Sequence, residues 1–202
     1  EIAQCLVGSE MCIRDRQNRR VRVRVTYKRR EYTMKTVKVG SVGLGRLGYE
    51  HAKNLATQVP GCELAAICDV DANRVKEVAA ELGVPNTYTD FEEMCKNPEL
   101  DAIVIVSPSF LHCQQIEIAM NHGKHVFCEK PDAVNVEEVM KMNDAAKAAG
   151  KTLMVMRNNR FTDASKLAKK FIDDGKMGEI YCGRCGWQRR RGIPGKGGWF
   201  TT

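Results

Sequence analysis

The feature that most limits how this chain can fold is a glycine-rich loop between a β-prone run and a helical run. Val37–Val42 is short and β-prone, residues 43–48 read GLGRLG, and a helical stretch follows over residues 47–57. This is a GxGxxG pattern in the strand–turn–helix context that it requires. The sequence therefore predicts a strand that turns sharply into a helix at the start of a layered α/β domain.

Each glycine of this loop has a steric reason. Gly43 permits a tight turn, Gly45 lets the backbone approach a pyrophosphate, and Gly48 lets the helix pack closely on the strand. The helix N-terminus also presents N–H groups and a partial positive charge to phosphates. We therefore expect a dinucleotide to bind here, through the loop residues Gly43, Leu44, Gly45, Arg46, Leu47 and Gly48.

A second β-prone run, residues 63–69, ends in Asp69, 21 positions after Gly48. An acidic group at this position accepts hydrogen bonds from the adenosine ribose hydroxyls and repels a 2′-phosphate. Asp69 therefore favours NAD over NADP as the cofactor. Arg74 keeps NADP open, because an arginine near that strand end can receive a phosphate. The structural alternative for Asp69 is a strand-end or helix-capping role.

Strand-like and helical segments keep alternating along the rest of the chain. Residues 102–106 are unbroken and mostly β-branched, which is typical of a central parallel strand covered on both faces. Strands that alternate with helices predict an α/β fold with a doubly wound parallel (Rossmann) sheet, which binds ligands at the carboxyl ends of its strands. The expected helices are residues 72–82, 91–96, 110–121 and 136–149, and the expected later strands are 88, 102–106, 125–128 and 152–156.

The residues that follow the later strands resemble those of one known family. The triplet Glu129-Lys130-Pro131, after the strand 125–128, matches that family's most characteristic motif. Over residues 34–202 the chain is similar to the Gfo/Idh/MocA oxidoreductases, the family of glucose-fructose oxidoreductase and inositol dehydrogenase. Besides the loop, Asp69 and Arg74, the resemblance implies cofactor binding by Ser107, Pro108, His112, Glu129, Lys130 and Asn158.

The resemblance implies hydride transfer between NAD(P) and a hydroxyl carbon of a sugar, cyclitol or related polyol. Lys130 is the candidate catalytic residue. Oxidation of an alcohol needs a group that takes the hydroxyl proton and a positive charge that stabilises the developing alkoxide. A partly buried lysine at a strand end can meet both needs, whereas a solvated surface lysine is the structural alternative. Glu129 is expected to hold Lys130 in place or to contact the nicotinamide ribose.

Other polar residues have more open roles. For His112, a structural role, in which its ring bonds to a strand end, is preferred to a direct catalytic role. Substrate contacts are expected from Arg160, Arg190 and Arg191. The arginines at 189–191 follow an expected strand at about residues 179–187, and they could bind a carboxylate or phosphate or, equally, lie in an oligomer interface. The CxxC at residues 182–185 lacks a second ligand pair, so no metal site is expected.

The net charge of +7 lies mostly in a leader, because residues 1–33 hold nine basic and four acidic residues and the rest hold 23 and 21. Residues 5–16, CLVGSEMCIRDR, resemble a translated sequencing adapter. Purine-only codons for residues 28–31 could also encode a ribosome-binding site shortly before Met34. We therefore expect translation to start at Met34 and residues 1–33 to be a non-native or disordered leader. A basic arm that binds nucleic acid and a targeting peptide are the alternatives, and no nucleic-acid partner is expected.

The expected domains are this leader, an NAD(P)-binding Rossmann domain at 34–157 and the beginning of a truncated, incomplete α/β substrate and oligomerisation domain at 158–202. The resemblance implies that the lysine acts with an Asp and a His of an Asp-x-x-x-His segment, which the 202 residues do not contain. We therefore expect a fragment that does not turn over substrate alone. The full-length form is expected to be a homo-oligomer through the sheet of its second domain.

Composition indicates whether the protein has disulfide bonds and whether it spans a membrane. An odd count of nine cysteines argues against a disulfide framework, and apolar runs of only a few residues fall well short of the roughly 20 that span a bilayer. A cytoplasmic protein with no membrane partner is expected. Two alternatives to a dehydrogenase remain within the resemblance: a glycosidase that uses NAD transiently, and a sugar sensor that binds the dinucleotide without chemistry.

Overall fold

The structure is a computed structural model and describes residues 10–14, 20–24 and 36–186. The first two ranges are strands β1 (Glu10–Arg14) and β2 (Arg20–Arg24), which pair antiparallel in a two-stranded sheet. The alternation of arginine and valine over β2 has the period of two that a strand requires. This pairing does not test the origin of the leader, which stays a prediction.

Residues 36–186 alternate between strands and helices, as the hydrophobic pattern predicts. The strands are β3 (Val37–Val42), β4 (Cys62–Cys68), β5 (Asn86–Tyr88), β6 (Ala102–Ile105), β7 (His125–Cys128) and β8 (Leu153–Val155). The helices are α1 (Arg46–Thr57), α2 (Ala72–Leu82), α3 (Phe91–Lys96), α4 (His112–Asn121), α5 (Val136–Ala149) and α6 (Asp163–Asp173). Short 3-10 turns occur at Ser109–Leu111 and Asn158–Phe161.

Strands β3 to β8 form one six-stranded parallel sheet in the order β5-β4-β3-β6-β7-β8. The chain runs outward in one direction from β3 to β5 and in the other from β6 to β8, which is the doubly wound pattern. The predicted Rossmann-type fold class is confirmed. Ile103, Val104 and Ile105 of β6 are all buried, so both faces of this strand are covered, as its unbroken apolar run predicts.

The chain divides into two compact units between Ala102 and Ile103. In the first unit, β3 pairs in parallel with β4, and α1 and α2 contact β4. Spacing at helical and strand periods brings apolar side chains of these elements to one side, where burial stabilises them. Their buried core is formed by Leu44, Ala52, Leu64, Ile67, Val75, Val78 and Val84.

In the second unit, β7 pairs in parallel with β8, and α4 packs against both β7 and α5. Ile116 and Met120 of α4, Val126 of β7 and Met142 of α5 are buried. None of the helices among the described residues is both long and apolar enough to cross a membrane. The division into residues 1–33, 34–157 and 158–202 stays a prediction.

The strand expected at about residues 179–187 is wrong over its described part. Residues 179–186 form no strand. A strand is stable only when a neighbouring strand satisfies its backbone hydrogen bonds, and no strand of the described chain pairs with this segment.

Candidate functional site

The glycine loop has the sharp turn that its sequence predicts. Gly43 has φ +87°, a region that residues with a Cβ rarely adopt, and its N–H donates to the Cys68 carbonyl at 2.9 Å. Leu44 is fully buried and anchors the loop in the core. Gly48 in α1 is also buried, which agrees with a helix that packs closely. The residues between them, 45 to 47, are exposed.

The fold itself does not require a glycine at position 45. Its φ is −61° and its ψ is −173°, values that any residue adopts. A Cβ added at this position would meet nothing within 4 Å. The open space beside this backbone is therefore a cradle that a side chain would fill and that a ligand can enter.

The start of α1 is the second sign of a ligand. Its N-cap, Gly45, supplies no side-chain hydrogen bond, and neither does Leu111 at the start of α4, where a 3-10 turn leads into the helix. The side chains of Asp71, Asp90, Asn135 and Thr162 cap α2, α3, α5 and α6. Unpaired N–H groups at a helix N-terminus bind anions, because the helix dipole is positive there. The loop residues therefore fit the pyrophosphate of a dinucleotide.

Asp69 lies directly after β4 and contacts the loop. Its Oδ2 accepts a hydrogen bond from the Leu44 N–H at 2.6 Å, and its Oδ1 accepts one from the Asp71 N–H at 3.0 Å. The helix-capping role in this segment belongs to Asp71, whose Oδ1 accepts from the N–H groups of Asn73 and Arg74. Asp69 therefore joins the strand end to the glycine loop and does not cap α2.

Arg74 reaches the same loop from α2. Its Nε donates to the Leu44 carbonyl at 3.0 Å, and its Nη1 pairs with Glu77 at 2.6 Å. Its guanidinium carbon lies 5.2 Å from the centre of the Tyr49 ring in α1. The first unit thus brings together Leu44, Asp69 and Arg74, three of the residues that the sequence assigns to cofactor binding.

In the second unit, the motif residues follow β7. Glu129 is buried and accepts from the backbone N–H of Lys130 at 2.9 Å, and its own N–H donates to the Ile105 carbonyl at 2.9 Å. The Lys130-Pro131 peptide is cis. The Lys130 side chain is exposed, and so is Pro131. The prediction that Lys130 is partly buried is therefore wrong for the described chain. Glu129 therefore holds the backbone that carries the lysine.

His112 is buried between two carbonyl groups. Its Nε2 lies 2.8 Å from the Ser107 oxygen, just after β6, and its Nδ1 lies 2.8 Å from the Pro131 oxygen. An imidazole N–H donates to such an acceptor, and the tautomer decides which of the two carbonyl groups a neutral ring bonds. The ring therefore lies within hydrogen-bond distance of a strand end, as expected, and of the peptide after Lys130. The Ser107 hydroxyl in turn donates to the Gln115 side chain.

The remaining predicted residues lie on the surface or outside the described chain. Pro108 is exposed before the first 3-10 turn. Asn158 and Arg160 are exposed on the second 3-10 turn, after β8, and the Asn158 Oδ1 accepts from the N–H of Asn159 at 3.0 Å. Arg190 and Arg191 lie outside the described residues.

One ion pair beside the motif was not predicted from the sequence. Arg157, the second residue after β8, pairs with Asp132, two positions after Lys130, at 3.2 Å. The position of Arg157 after a strand was a usable signal. Its partner lies 25 residues away, and nothing local indicates the pairing.

The following cysteines are free thiols: Cys62, Cys68, Cys95, Cys113, Cys128, Cys182 and Cys185. Burial raises the pKa of Cys68 and of Cys128 to about 12, and nearby carboxylates act in the same direction. Cys182 and Cys185 are exposed. Within the described ranges, no group of three or more His, Cys, Asp or Glu side chains is placed to hold a metal ion.

The doubly wound sheet, the cradle at Gly45 and the acidic residue after the second strand of the sheet define a class of protein, the dinucleotide-binding α/β domains. Comparison with known proteins specifies it further. The model of the oxidoreductase family with an NAD-binding Rossmann fold (Gfo/Idh/MocA) matches residues 37–157. The chain belongs to this family, and its predicted cofactor, NAD, is the one that the family binds.

Two curated relatives are cyclitol dehydrogenases. The chain is 39% identical over 159 residues to the scyllo-inositol 2-dehydrogenase (NAD(+)) of Bacillus subtilis, covering 78% of this chain and 46% of that protein. It is 34% identical over 143 residues to the myo-inositol 2-dehydrogenase of Thermotoga maritima, covering 71% and 42%. The chain thus spans less than half the length of these relatives.

A solved structure shows the same fold. The scyllo-inositol dehydrogenase from Lactobacillus casei, crystallised with bound NAD(H) and scyllo-inositol, matches with a TM-score of 0.69 and 40% sequence identity. The match covers 72% of this chain and 43% of that chain. At this identity the likeness supports both a shared fold and shared ancestry.

Proposed function

We propose that the chain is the NAD-binding part of an oxidoreductase that moves a hydride between nicotinamide and a hydroxyl carbon of a cyclitol or related polyol. The observation that carries the proposal is the start of α1, where the helix has no side-chain cap and Gly45 leaves open space. The identity of 39–40% with scyllo-inositol dehydrogenases supports the cyclitol as substrate.

In the first unit, the N–H groups at the start of α1 bind the pyrophosphate. Asp69 accepts hydrogen bonds from the adenosine ribose, since each carboxylate oxygen has a further lone pair beyond its bond to the backbone. The same negative charge disfavours a 2′-phosphate, so the protein uses NAD in preference to NADP. When bound, NAD supplies the carbon that accepts or donates the hydride.

In the second unit, the neutral amine of Lys130 takes the proton of the substrate hydroxyl at Nζ, and the ammonium that forms stabilises the developing alkoxide. Glu129 fixes the lysine from the amino-terminal side through the Lys130 N–H, and His112 fixes it from the other side through the Pro131 carbonyl. Substrate contacts of Arg160, Arg190 and Arg191, a homo-oligomeric assembly and a cytoplasmic location stay predictions.

The cofactor is tested by titrating the purified 202-residue chain with NADH and separately with NADPH, following NADH fluorescence and heat of binding. We expect saturable binding of one NADH per chain and weaker binding of NADPH. Failure to bind NADH would contradict the proposal, and tighter binding of NADPH would contradict the role of Asp69.

The role of Lys130 is tested in a chimera in which residues 37–157 replace the matching part of the Bacillus subtilis scyllo-inositol 2-dehydrogenase. We expect NADH formation from scyllo-inositol and a fall of about 100-fold or more in kcat for Lys130→Met. The matched control is Lys147→Met, whose ammonium is exposed on α5. Full activity of a folded Lys130→Met chimera would exclude the lysine from proton transfer. Release of sugar from an added glycoside, without net NADH formation, would indicate a glycosidase.

A further inference from the structure

The Leu44 residue of the glycine loop is held at both of its backbone polar groups. Its N–H donates to Asp69, and its carbonyl accepts from Arg74 Nε at 3.0 Å. Its side chain is fully buried. Both partners belong to the segment that leaves β4 and enters α2, so two charged side chains of one segment fix the loop just before Gly45.

The Arg74 guanidinium is engaged on several sides. Besides the Leu44 carbonyl, it pairs with Glu77 at 2.6 Å and lies over the Tyr49 ring, with its carbon 5.2 Å from the ring centre. Such a cation–π contact is favourable, and a guanidinium has a rigid, planar set of donors that suits several partners at once. The Tyr49 hydroxyl donates to Glu81, which anchors the ring on α2.

A 2′-phosphate would have to compete with all of these partners. Moving the guanidinium to a phosphate beside the adenosine ribose would break the bond to the Leu44 carbonyl, the Glu77 pair and the contact with Tyr49. Breaking the first of these would also release the loop that leads to the start of α1. Binding of NADP through Arg74 would therefore weaken the pyrophosphate site.

We propose that Arg74 is a positioning residue of the dinucleotide site, which fixes the Leu44 carbonyl and thereby the N–H groups that start α1, and that it is not the receptor of a 2′-phosphate. This inference rests on the proposed binding of NAD. It leaves the negative charge of Asp69 as the source of the preference for NAD, since the nearby arginine is already engaged by the protein.

The experiment compares NADH and NADPH affinities of the 202-residue chain and three variants, Arg74→Met, Arg74→Lys and Glu77→Gln, well below their unfolding temperatures. Arg74→Met removes the Nε–H, and Arg74→Lys keeps the charge without the planar donor set. Glu77→Gln is the matched control, because it removes the ion pair and leaves the Nε bond to Leu44. Unfolding curves show that each variant is folded.

We expect Arg74→Met and Arg74→Lys each to weaken NADH binding by about tenfold, the effect of losing one charge-assisted hydrogen bond. NADPH affinity falls by the same factor, so the ratio of the two affinities is unchanged. Glu77→Gln changes the NADH affinity by less than about twofold, as expected for an exposed pair.

Two results would overturn the inference. A loss of NADPH affinity with NADH affinity retained would make Arg74 a phosphate receptor. A lower unfolding temperature with both affinities retained would make it a stabilising residue only. If Arg74→Met does not fold, Arg74→Lys decides by the same criteria. Failure of the unmodified chain to bind NADH is a separate result, which overturns the proposed function.

Discussion

At the residue scale, Asp69 has two roles, one in the fold and one in the proposed cofactor site. Its carboxylate accepts from the N–H groups of Leu44 and Asp71, and the proposed function also assigns it the adenosine ribose. A neighbouring carboxylate, Asp71, caps α2 and does not contact Leu44 in the described hydrogen bonds. These two residues therefore form a matched pair for mutation.

We predict that Asp69→Ala lowers the free energy of unfolding by about 1–3 kcal/mol, because it leaves the partly buried Leu44 N–H without its acceptor. It also raises the ratio of NADPH to NADH affinity by about tenfold or more, because the charge that repels a 2′-phosphate is gone. Urea unfolding and cofactor titrations measure the two effects.

Asp71→Ala is the control for this prediction. It removes the N-cap of α2 and lowers the free energy of unfolding by about 1 kcal/mol. The ratio of NADPH to NADH affinity stays unchanged. An equal shift of that ratio in both variants would show that Asp69 does not select the cofactor.

The cysteines test burial in both units. Because burial raises the pKa of Cys68 and Cys128 to about 12, these thiols stay protonated and shielded at pH 9. We predict that iodoacetamide labels the exposed Cys182 and Cys185 of the native chain rapidly and labels Cys68 and Cys128 only in denaturant. Peptide mass spectrometry measures each site, and rapid labelling of Cys68 or Cys128 in the native chain would contradict the described core.

Some residue roles follow from the sequence and others do not. Gly43 and Asp69 were predictable, because the spacing of the motif fixes a turn and a strand end in the local chain. The bond from Arg74 to Leu44 spans 30 residues and depends on how α2 packs beside the loop. The exposure of Lys130 was not predictable either, because it depends on what packs over the end of β7.

At the element scale, local signals gave helix ends accurately. The sequence predicts α2 and α5 with the bounds that the structure has, because Gly83 and Gly150 end them in the left-handed conformation, at φ +68° and +61°. The strand expected over residues 179–187 failed, because a strand depends on a distant partner. Helix α6 was missed although it begins at a threonine cap, Thr162.

The cap of α5 allows a prediction at this scale. The Asn135 side chain accepts from the Glu138 N–H at 2.8 Å, and the Glu138 carboxylate accepts from the Val134 N–H at 3.2 Å. We predict that Asn135→Ala lowers the free energy of unfolding by about 1 kcal/mol. Thermal and urea unfolding measure the change.

Lys147→Ala on the same helix is the matched control for Asn135→Ala. Its ion pair with Asp144 is exposed and 3.8 Å long, so the expected change is below about 0.5 kcal/mol. Equal losses in the two variants would contradict the role of the cap.

At the scale of the whole molecule, the sheet order, the family match over residues 37–157 and the open start of α1 point to one activity, binding of NAD. A ligand that binds only the folded chain stabilises it, by about 2.7 kcal/mol when its concentration is 100 times its Kd. NADH should therefore protect the chain against urea, whereas a polyol alone is not expected to.

The most direct test of NAD binding is an NADH titration of the 202-residue chain beside its Gly45→Ala variant. The added Cβ meets nothing within 4 Å in the chain itself, and the φ of −61° suits alanine, so the variant should unfold at the same denaturant concentration. We predict that the unmodified chain binds NADH and that Gly45→Ala binds at least about tenfold more weakly, because the methyl group occupies the place of the pyrophosphate. Equal NADH affinity of the two proteins, or no NADH binding by the unmodified chain, would contradict the account.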